Sequence, residues 1–211
     1  MILLILGLSL VISYLIGSLP FGYLFARLVK GVDIRKHGSG NIGATNVFRV
    51  VGKQWGIIVL ILDFAKGFLV VTLLAGFFFN LNPAPAVSLV IYKIIMAIAV
   101  ISGHNWTVFL GFKGGKGIAT SLGTLLGIVP LACGLAVIVW IGTILIWKRV
   151  SVASIAAFVI LPLFIVIFYQ KRENFLLLVI FSIIVAFFAV YKHIPNIKRL
   201  IRGEEKRIDE V

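Results

Sequence analysis

Residues 2–26 contain no charged side chain, a run long enough to cross a roughly 30 Å hydrocarbon core as a helix. Further apolar runs follow at 56–79, 86–102, 150–169 and 175–190. The stretch 117–147 is apolar as well, but too long for one crossing and short for two. Gly127 and Pro130 near its middle predict a sharp reversal between two short helices. No basic segment precedes the first run, and it exceeds a signal-peptide core, so it is expected to be retained as a helix.

Charge placement decides how to count the stretch 117–147, because Lys and Arg concentrate in cytoplasmic loops. With two helices there, seven spans result; one side holds 16 Lys and Arg, the other holds only Lys171 and Arg172, and Lys66 and Lys93 lie within spans. With one helix the split falls to 10 against 8. The expected fold is therefore all-α. It is a polytopic integral membrane protein with seven transmembrane helices, the N-terminus outside and the C-terminus cytoplasmic. Residues 1–211 are read as a single transmembrane domain. Its outer connections (80–85, a reversal near Pro130, and 170–174) are short, so the chemistry is expected at the cytoplasmic face.

Composition removes the alternatives to a membrane protein. The chain is 61% hydrophobic and 13% charged, with a mean hydropathy of +1.16, which excludes a soluble globular domain. Cys133 stands alone in an apolar run, so neither a disulfide scaffold nor a cysteine metal site is expected. The net charge is +13, and four of the seven acids (Glu204, Glu205, Asp209, Glu210) fall in the last eight residues. Such a chain suits the lipid bilayer and anionic small molecules. It suits cation transport or a carboxylate-bound metal poorly. No nucleic-acid partner is expected, and the oligomeric state stays open, with a monomer compatible.

Three segments can carry chemistry. The first reads Gly38-Ser-Gly-Asn-Ile-Gly-Ala-Thr-Asn-Val-Phe-Arg49. Its opening matches GxGxxG, but charged residues precede it where a dinucleotide fold needs a strand. The physics of the glycines survives without that fold: backbone N–H groups can converge on an anion. Ser39, Asn41, Thr45 and Asn46 add donors, and Arg49 can grip phosphate bidentately. The second segment contains Lys113-Gly-Gly-Lys-Gly117, two ammonium groups around closely approachable backbone. It is not a nucleotide P-loop, since Leu110 stands where the first glycine belongs. His104, in Gly103-His-Asn-Trp106, is expected to hydrogen-bond between helices rather than ligate metal. The third segment is the basic tail, where His193 and Asn196 are not needed merely to hold anionic lipid. Asp63 and Lys66 stand three apart within a span and read as a structural ion pair. Ser151 reads as a helix cap, with Ser154 one turn deeper.

These segments, in this order on a seven-span basic scaffold, resemble the bacterial acyl-phosphate:glycerol-3-phosphate acyltransferase (PlsY) family over essentially the whole chain. The resemblance implies transfer of a fatty acyl group from acyl phosphate to the 1-hydroxyl of sn-glycerol 3-phosphate. Lysophosphatidic acid and phosphate would be the products, at the opening of phospholipid synthesis in the bacterial cytoplasmic membrane. It implies that Ser39 and Arg49 are essential. The backbone donors of the first segment, and its arginine just beyond a glycine-rich turn, suit the reacting acyl phosphate, so Gly38, Ser39, Gly40, Asn41, Gly43, Thr45, Asn46 and Arg49 are set against it. By the resemblance, Lys113, Gly114, Gly115, Lys116 and Gly117 would hold glycerol 3-phosphate; Ser154 is assigned to the same substrate from its place one turn into the sixth span. His193 and Asn196 would contribute to activity, and Glu204 or Glu205 would be structural. The His-x4-Asp dyad of acyl-CoA-dependent enzymes is missing, because Ile42, Phe109 and Lys198 lie five residues after the three histidines.

No metal and no cofactor is expected, since an acyl phosphate is already activated. The proton acceptor is left open between His193 and an oxygen of the substrate phosphate. The alternative from another class is a secondary transporter of an organic phosphate. Against it stands the lack of inverted repeats.

Overall fold

The computed structural model describes residues 2–81 and 87–210, and all regular structure among them is helical. The chain forms two compact units, residues 1–128 and 129–211. Six segments are long and apolar enough to cross a membrane: Leu3–Lys30, Lys53–Asn80, Leu89–Leu110, Pro130–Trp147, Val150–Phe168 and Phe175–Lys192. Large apolar side chains stay exposed along them, among them Leu73, Ile138 and Leu176, a surface suited to hydrocarbon rather than water. The expected outer connection at 80–85 lies mostly outside the described residues.

The first unit contains α1 (Ile2–Ser18), α2 (Phe21–Lys30), α3 (Ala44–Val50), α4 (Lys53–Leu69), α5 (Ala75–Asn80), α6 (Leu89–Asn105) and α7 (Ile118–Ile128). A π-helical turn, Val70–Leu74, joins α4 to α5. The run 2–26 is not one continuous helix. Pro20 has no N–H to donate, so the ladder stops at Ser18 and restarts at Phe21. The carbonyl oxygens this exposes find partners on other helices. Thr107 Oγ1 donates to Ser18 O (2.6 Å) and Lys66 Nζ to Leu19 O (3.1 Å). A backbone carbonyl left bare at membrane depth would cost several kcal/mol.

Two helix pairs organise this unit. α1 and α6 run side by side in the same direction, with Tyr92 donating to Ser9 Oγ near their starts (2.8 Å) and Gly17 and Gly103 near their ends. Gly17 touches the backbone of Val100, and Gly103 that of Tyr14, so a side chain at either would force the helices apart. α4 and α7 pair in the same way, Gly67 against Thr120 and Gly127 against Val71 and Thr72. α7 thus starts beside the middle of the Lys53–Asn80 segment and accompanies only its later half. Its 11 residues span about 16 Å, short of a full crossing by themselves.

The second unit contains α8 (Pro130–Trp147), α9 (Val150–Phe168), α10 (Phe175–Lys192) and α11 (Ile194–Ile201), with α9 packed against both α8 and α10. Proline at the first position of α8 loses no helical bond, and the orphan N–H of Leu131 donates to the Tyr169 hydroxyl (3.1 Å). Ser151 is not a helix cap. Arg149 holds that position, and Ser151 lies inside α9 with its hydroxyl turned to the tail.

Candidate active site

The loop between α2 and α3 is built around one amide. Asn46, in the first turn of α3, is almost wholly buried. Its Oδ1 accepts the Ser39 N–H (2.9 Å), while Nδ2 donates to the carbonyls of Asn41 (2.8 Å), His37 (3.0 Å) and Ile34 (3.3 Å). Gly38 adopts φ +60°, and any side chain there would collide with the same amide oxygen. Asn41 Oδ1 accepts the Gly43 N–H (2.7 Å), and the Gly40 N–H reaches His37 O (3.0 Å). Three amide hydrogens of this loop therefore face inward. Of the side chains around the loop, Ser39 is exposed, while Thr45 and, one turn below it, Arg49 are half-buried. Ahead of the loop, a side-chain hydrogen bond from Arg35, aided by its charge, holds the half-buried Asp33 carboxyl down at about 2.

The lysine-glycine loop rests on the end of α6. The Gly115 N–H donates to His104 O (3.0 Å), and Gly114 touches the backbone of His104 and Asn105. Gly117, at φ +75°, has Asn105 Oδ1 where a Cβ would sit, 2.7 Å away. Lys113 is exposed and Lys116 half-buried. His104 Nδ1 lies 3.4 Å from Asp63 Oδ1, which also pairs with Lys66 Nζ at 2.7 Å. The Asp63–Lys66 pair read from the sequence is thus present, with His104 joined to it. Leu110, from the turn before the lysines, packs against the apolar cluster of Ala26, Ile34, Ile42 and Val47 under the first loop. That contact brings the turn before the lysines, though not the lysine-glycine residues themselves, onto the cluster beneath the first loop.

In the second unit the tail folds onto a buried carboxylate. Glu205 Oε1 accepts from Asn196 Nδ2 (2.6 Å) and Ser151 Oγ (2.9 Å), and Oε2 from Arg199 Nε (2.8 Å). Burial alone would raise the carboxyl's pKa; the Asn196, Arg199 and Ser151 donors outweigh it and hold it below the usual glutamate range. Of the two tail glutamates, Glu205 is the buried one and Glu204 is exposed. His193, also buried, has Nδ1 2.7 Å from Ala189 O, so that nitrogen carries the proton and Nε2 is the basic edge. Ser154 accepts from the Trp140 indole (3.3 Å). The second unit thus gathers Asn196, Ser151 and Glu205, while the sites at 38–49 and 113–117 lie in the first. The sequence reading missed Asn46 as the organiser of its loop. The signal available was an asparagine at a helix start just beyond a glycine-rich turn.

An all-helical integral membrane protein whose polar residues gather in two glycine loops and a folded tail belongs to the class of membrane-embedded enzymes acting on anionic substrates. A family model described as glycerol-3-phosphate acyltransferase matches residues 7–203. The chain is 48% identical over 198 residues to a glycerol-3-phosphate acyltransferase of Desulforamulus reducens, covering 94% of this chain and 92% of that protein. It is 45% identical over 196 residues to one from Desulforudis audaxviator, covering 93% and 92%. Its fold is similar to the crystal structure of PlsY (YgiH), an integral membrane glycerol 3-phosphate acyltransferase, in its glycerol 3-phosphate form. There the TM-score is 0.82 at 38% identity, over 96% of this chain and 94% of that one. The lysophosphatidic acid form gives 0.79 at 37%. The chain belongs to the glycerol-3-phosphate acyltransferase family and is an integral membrane acyltransferase.

Proposed function

We propose that this protein transfers a fatty acyl group from acyl phosphate to the 1-hydroxyl of glycerol 3-phosphate, releasing lysophosphatidic acid and inorganic phosphate. The observation that carries this reading is the pair of glycine loops in the first unit, one with Arg49 beside it and the other with Lys113 and Lys116, in a chain with almost no carboxylates outside its tail. Both substrates are phosphate anions, and each loop can take one. Ser39 and Arg49 face the acyl phosphate, on a loop shaped by Gly38, Gly40, Asn41, Gly43 and Asn46 with Thr45 beside them. Lys113 and Lys116, with the backbone of Gly114, Gly115 and Gly117, hold the phosphate of glycerol 3-phosphate, and Ser154 serves the same substrate. His193 and Asn196 assist turnover from the tail.

In the reaction, the 1-hydroxyl oxygen attacks the acyl carbonyl carbon and the bond from that carbon to the phosphate oxygen breaks. The hydroxyl proton passes to a phosphate oxygen of the departing group, which leaves as hydrogen phosphate. Donors fixed at the phosphate and at the developing oxyanion supply the rate by positioning and electrostatics. His193 Nε2 is the competing proton acceptor. The family match runs through both units, which supports a single acyltransferase domain over 1–211. The charge split supports seven spans in the bacterial cytoplasmic membrane, N-terminus outside, with the active site at the cytoplasmic face. The parallel course of α4 and α7 supports the same reading, in which α7 serves as an outward crossing begun part-way through the bilayer.

The decisive experiment offers purified protein acyl phosphate, acyl-CoA and acyl-carrier protein in turn, with labelled glycerol 3-phosphate and a chelator present. Turnover with acyl phosphate alone is expected. Comparable turnover with acyl-CoA, or strict dependence on magnesium, overturns the donor assignment. The transporter alternative is not favoured by the family to which the chain belongs.

A further inference from the structure

One buried charged cluster lies outside the groups that this mechanism uses. Asp63 and Lys66 stand one turn apart on α4, both nearly inaccessible, with carboxylate and ammonium in contact. Burying such a pair is costly, and the glycine contacts that pack α4 against α7 require neither charge. What the charges do is reach two other elements. Lys66 holds the carbonyl of Leu19 at the broken end of α1, and Asp63 Oδ1 faces Nδ1 of His104 at the end of α6. The opposite edge of that imidazole completes the line: Nε2 fills the space into which a Cβ at Gly115 would project. The backbone of His104 meanwhile binds the Gly115 N–H. Carboxylate, imidazole and glycine backbone therefore form one continuous stack, all of it inside the first unit.

The geometry points to Asp63 as a positioning residue for the loop 113–117, acting through His104. With Nδ1 turned to the carboxylate, the ring cannot rotate about its bond to Cβ, and its Nε2 edge becomes a fixed wall against Gly115. Lys66 balances the carboxylate and ties it to α1. The loop's height, and so the position at which Lys116 and the glycine backbone meet a phosphate, is set from α4 through two side chains. This inference rests on the reading that 113–117 holds the phosphate of glycerol 3-phosphate.

Steady-state kinetics of the purified full-length protein, with both substrates varied, tests it. Asp63→Leu and His104→Leu should each raise KM for glycerol 3-phosphate about tenfold or more, leaving KM for acyl phosphate within about twofold. Asp63→Asn, which keeps an oxygen facing Nδ1, should recover most of the loss. In a Gly115→Ala background, where the loop is already displaced, Asp63→Leu should add little, because both changes act on one contact chain. An unchanged glycerol 3-phosphate KM in Asp63→Leu overturns the inference. So does a defect spread equally over both substrates, or one that adds in full to Gly115→Ala. If Asp63→Leu does not fold, the charge-free Asp63→Asn/Lys66→Met protein decides, and a large rise in its glycerol 3-phosphate KM overturns the inference. Lys116→Ala separates the two readings. If it leaves that KM unchanged, the loop assignment itself fails; if it raises KM while Asp63→Leu does not, only the positioning role fails.

Discussion

The two glycine loops solve the same problem by opposite means. The loop at 38–43 is held by Asn46, whose partners all lie within 12 residues along the chain. A neutral amide, with one acceptor and two donors, closes a turn that carries its own scaffold. The loop at 113–117 has no such internal organiser. It lies on His104 and Asn105, and behind them on Asp63, Lys66 and Leu19 from two other helices. The first is a cassette whose organising hydrogen bonds are all local in sequence. The second exists only when three helices have packed, and its shape reports on that packing.

Breaking the cassette should give the largest effect. Asn46→Ala removes four hydrogen bonds and leaves buried carbonyls bare, a cost on the order of 3 kcal/mol, and should reduce kcat by about 10²-fold or more. Asn46→Asp keeps the acceptor for Ser39 but points an anion at three carbonyl oxygens, so it should not rescue. Thermal melts alongside rates check both; a fully active Asn46→Asp would show that the amide's donors are dispensable.

Dividing the substrates between the loops sharpens the contrast at a smaller amplitude. Arg49→Lys should cut kcat by roughly tenfold to a hundredfold, since a point charge replaces a fork as charge develops on the leaving phosphate. Lys116→Ala should mainly raise KM for glycerol 3-phosphate, the signature of lost uniform binding. Full kinetics with both substrates varied reads the split, and an Arg49→Lys change confined to the glycerol 3-phosphate KM would reverse the assignment.

Glu205 provides the smallest and the only titrating comparison. Like Asn46 it is a buried hub of several hydrogen bonds, but it is charged and its donors are side chains. Its pKa in the folded protein lies below the ordinary glutamate value of about 4.3, so its stabilising contribution is complete above that value. The contribution is lost as pH falls through the folded pKa. Glu205→Gln should therefore lower stability by about 1–2 kcal/mol at pH 7 and converge with the unsubstituted protein in acid. Melting temperatures between pH 3 and pH 7 measure the gap; a gap that widens in acid contradicts the sign.

Hydropathy and charge placement made most of the helices legible, because length and lipid exposure are one-dimensional properties. They could not show that α7 starts half-way along the Lys53–Asn80 segment, which depends on where Gly67 and Thr120 meet. Nor could they turn Ser151 away from capping toward Glu205, a residue 54 positions distant. The break at Pro20 was written in the sequence, but a run without charges conceals a missing donor. At the site, glycine and lysine spacing marked both loops. The inward turn of three amide hydrogens in the first loop, and the support of the second by His104, required tertiary contacts.

That broken first helix also bears on biogenesis. Among the described residues, the carbonyl of Leu19 takes its side-chain partner from Lys66, 47 residues later, and that of Ser18 from Thr107, 89 residues later. While the chain emerges from the ribosome, the end of α1 must therefore stay hydrated. Ordinary lateral release of the first hydrophobic segment into lipid would strand both oxygens. Final seating of the segment is therefore expected to wait until the third long span, with Thr107, has been synthesised.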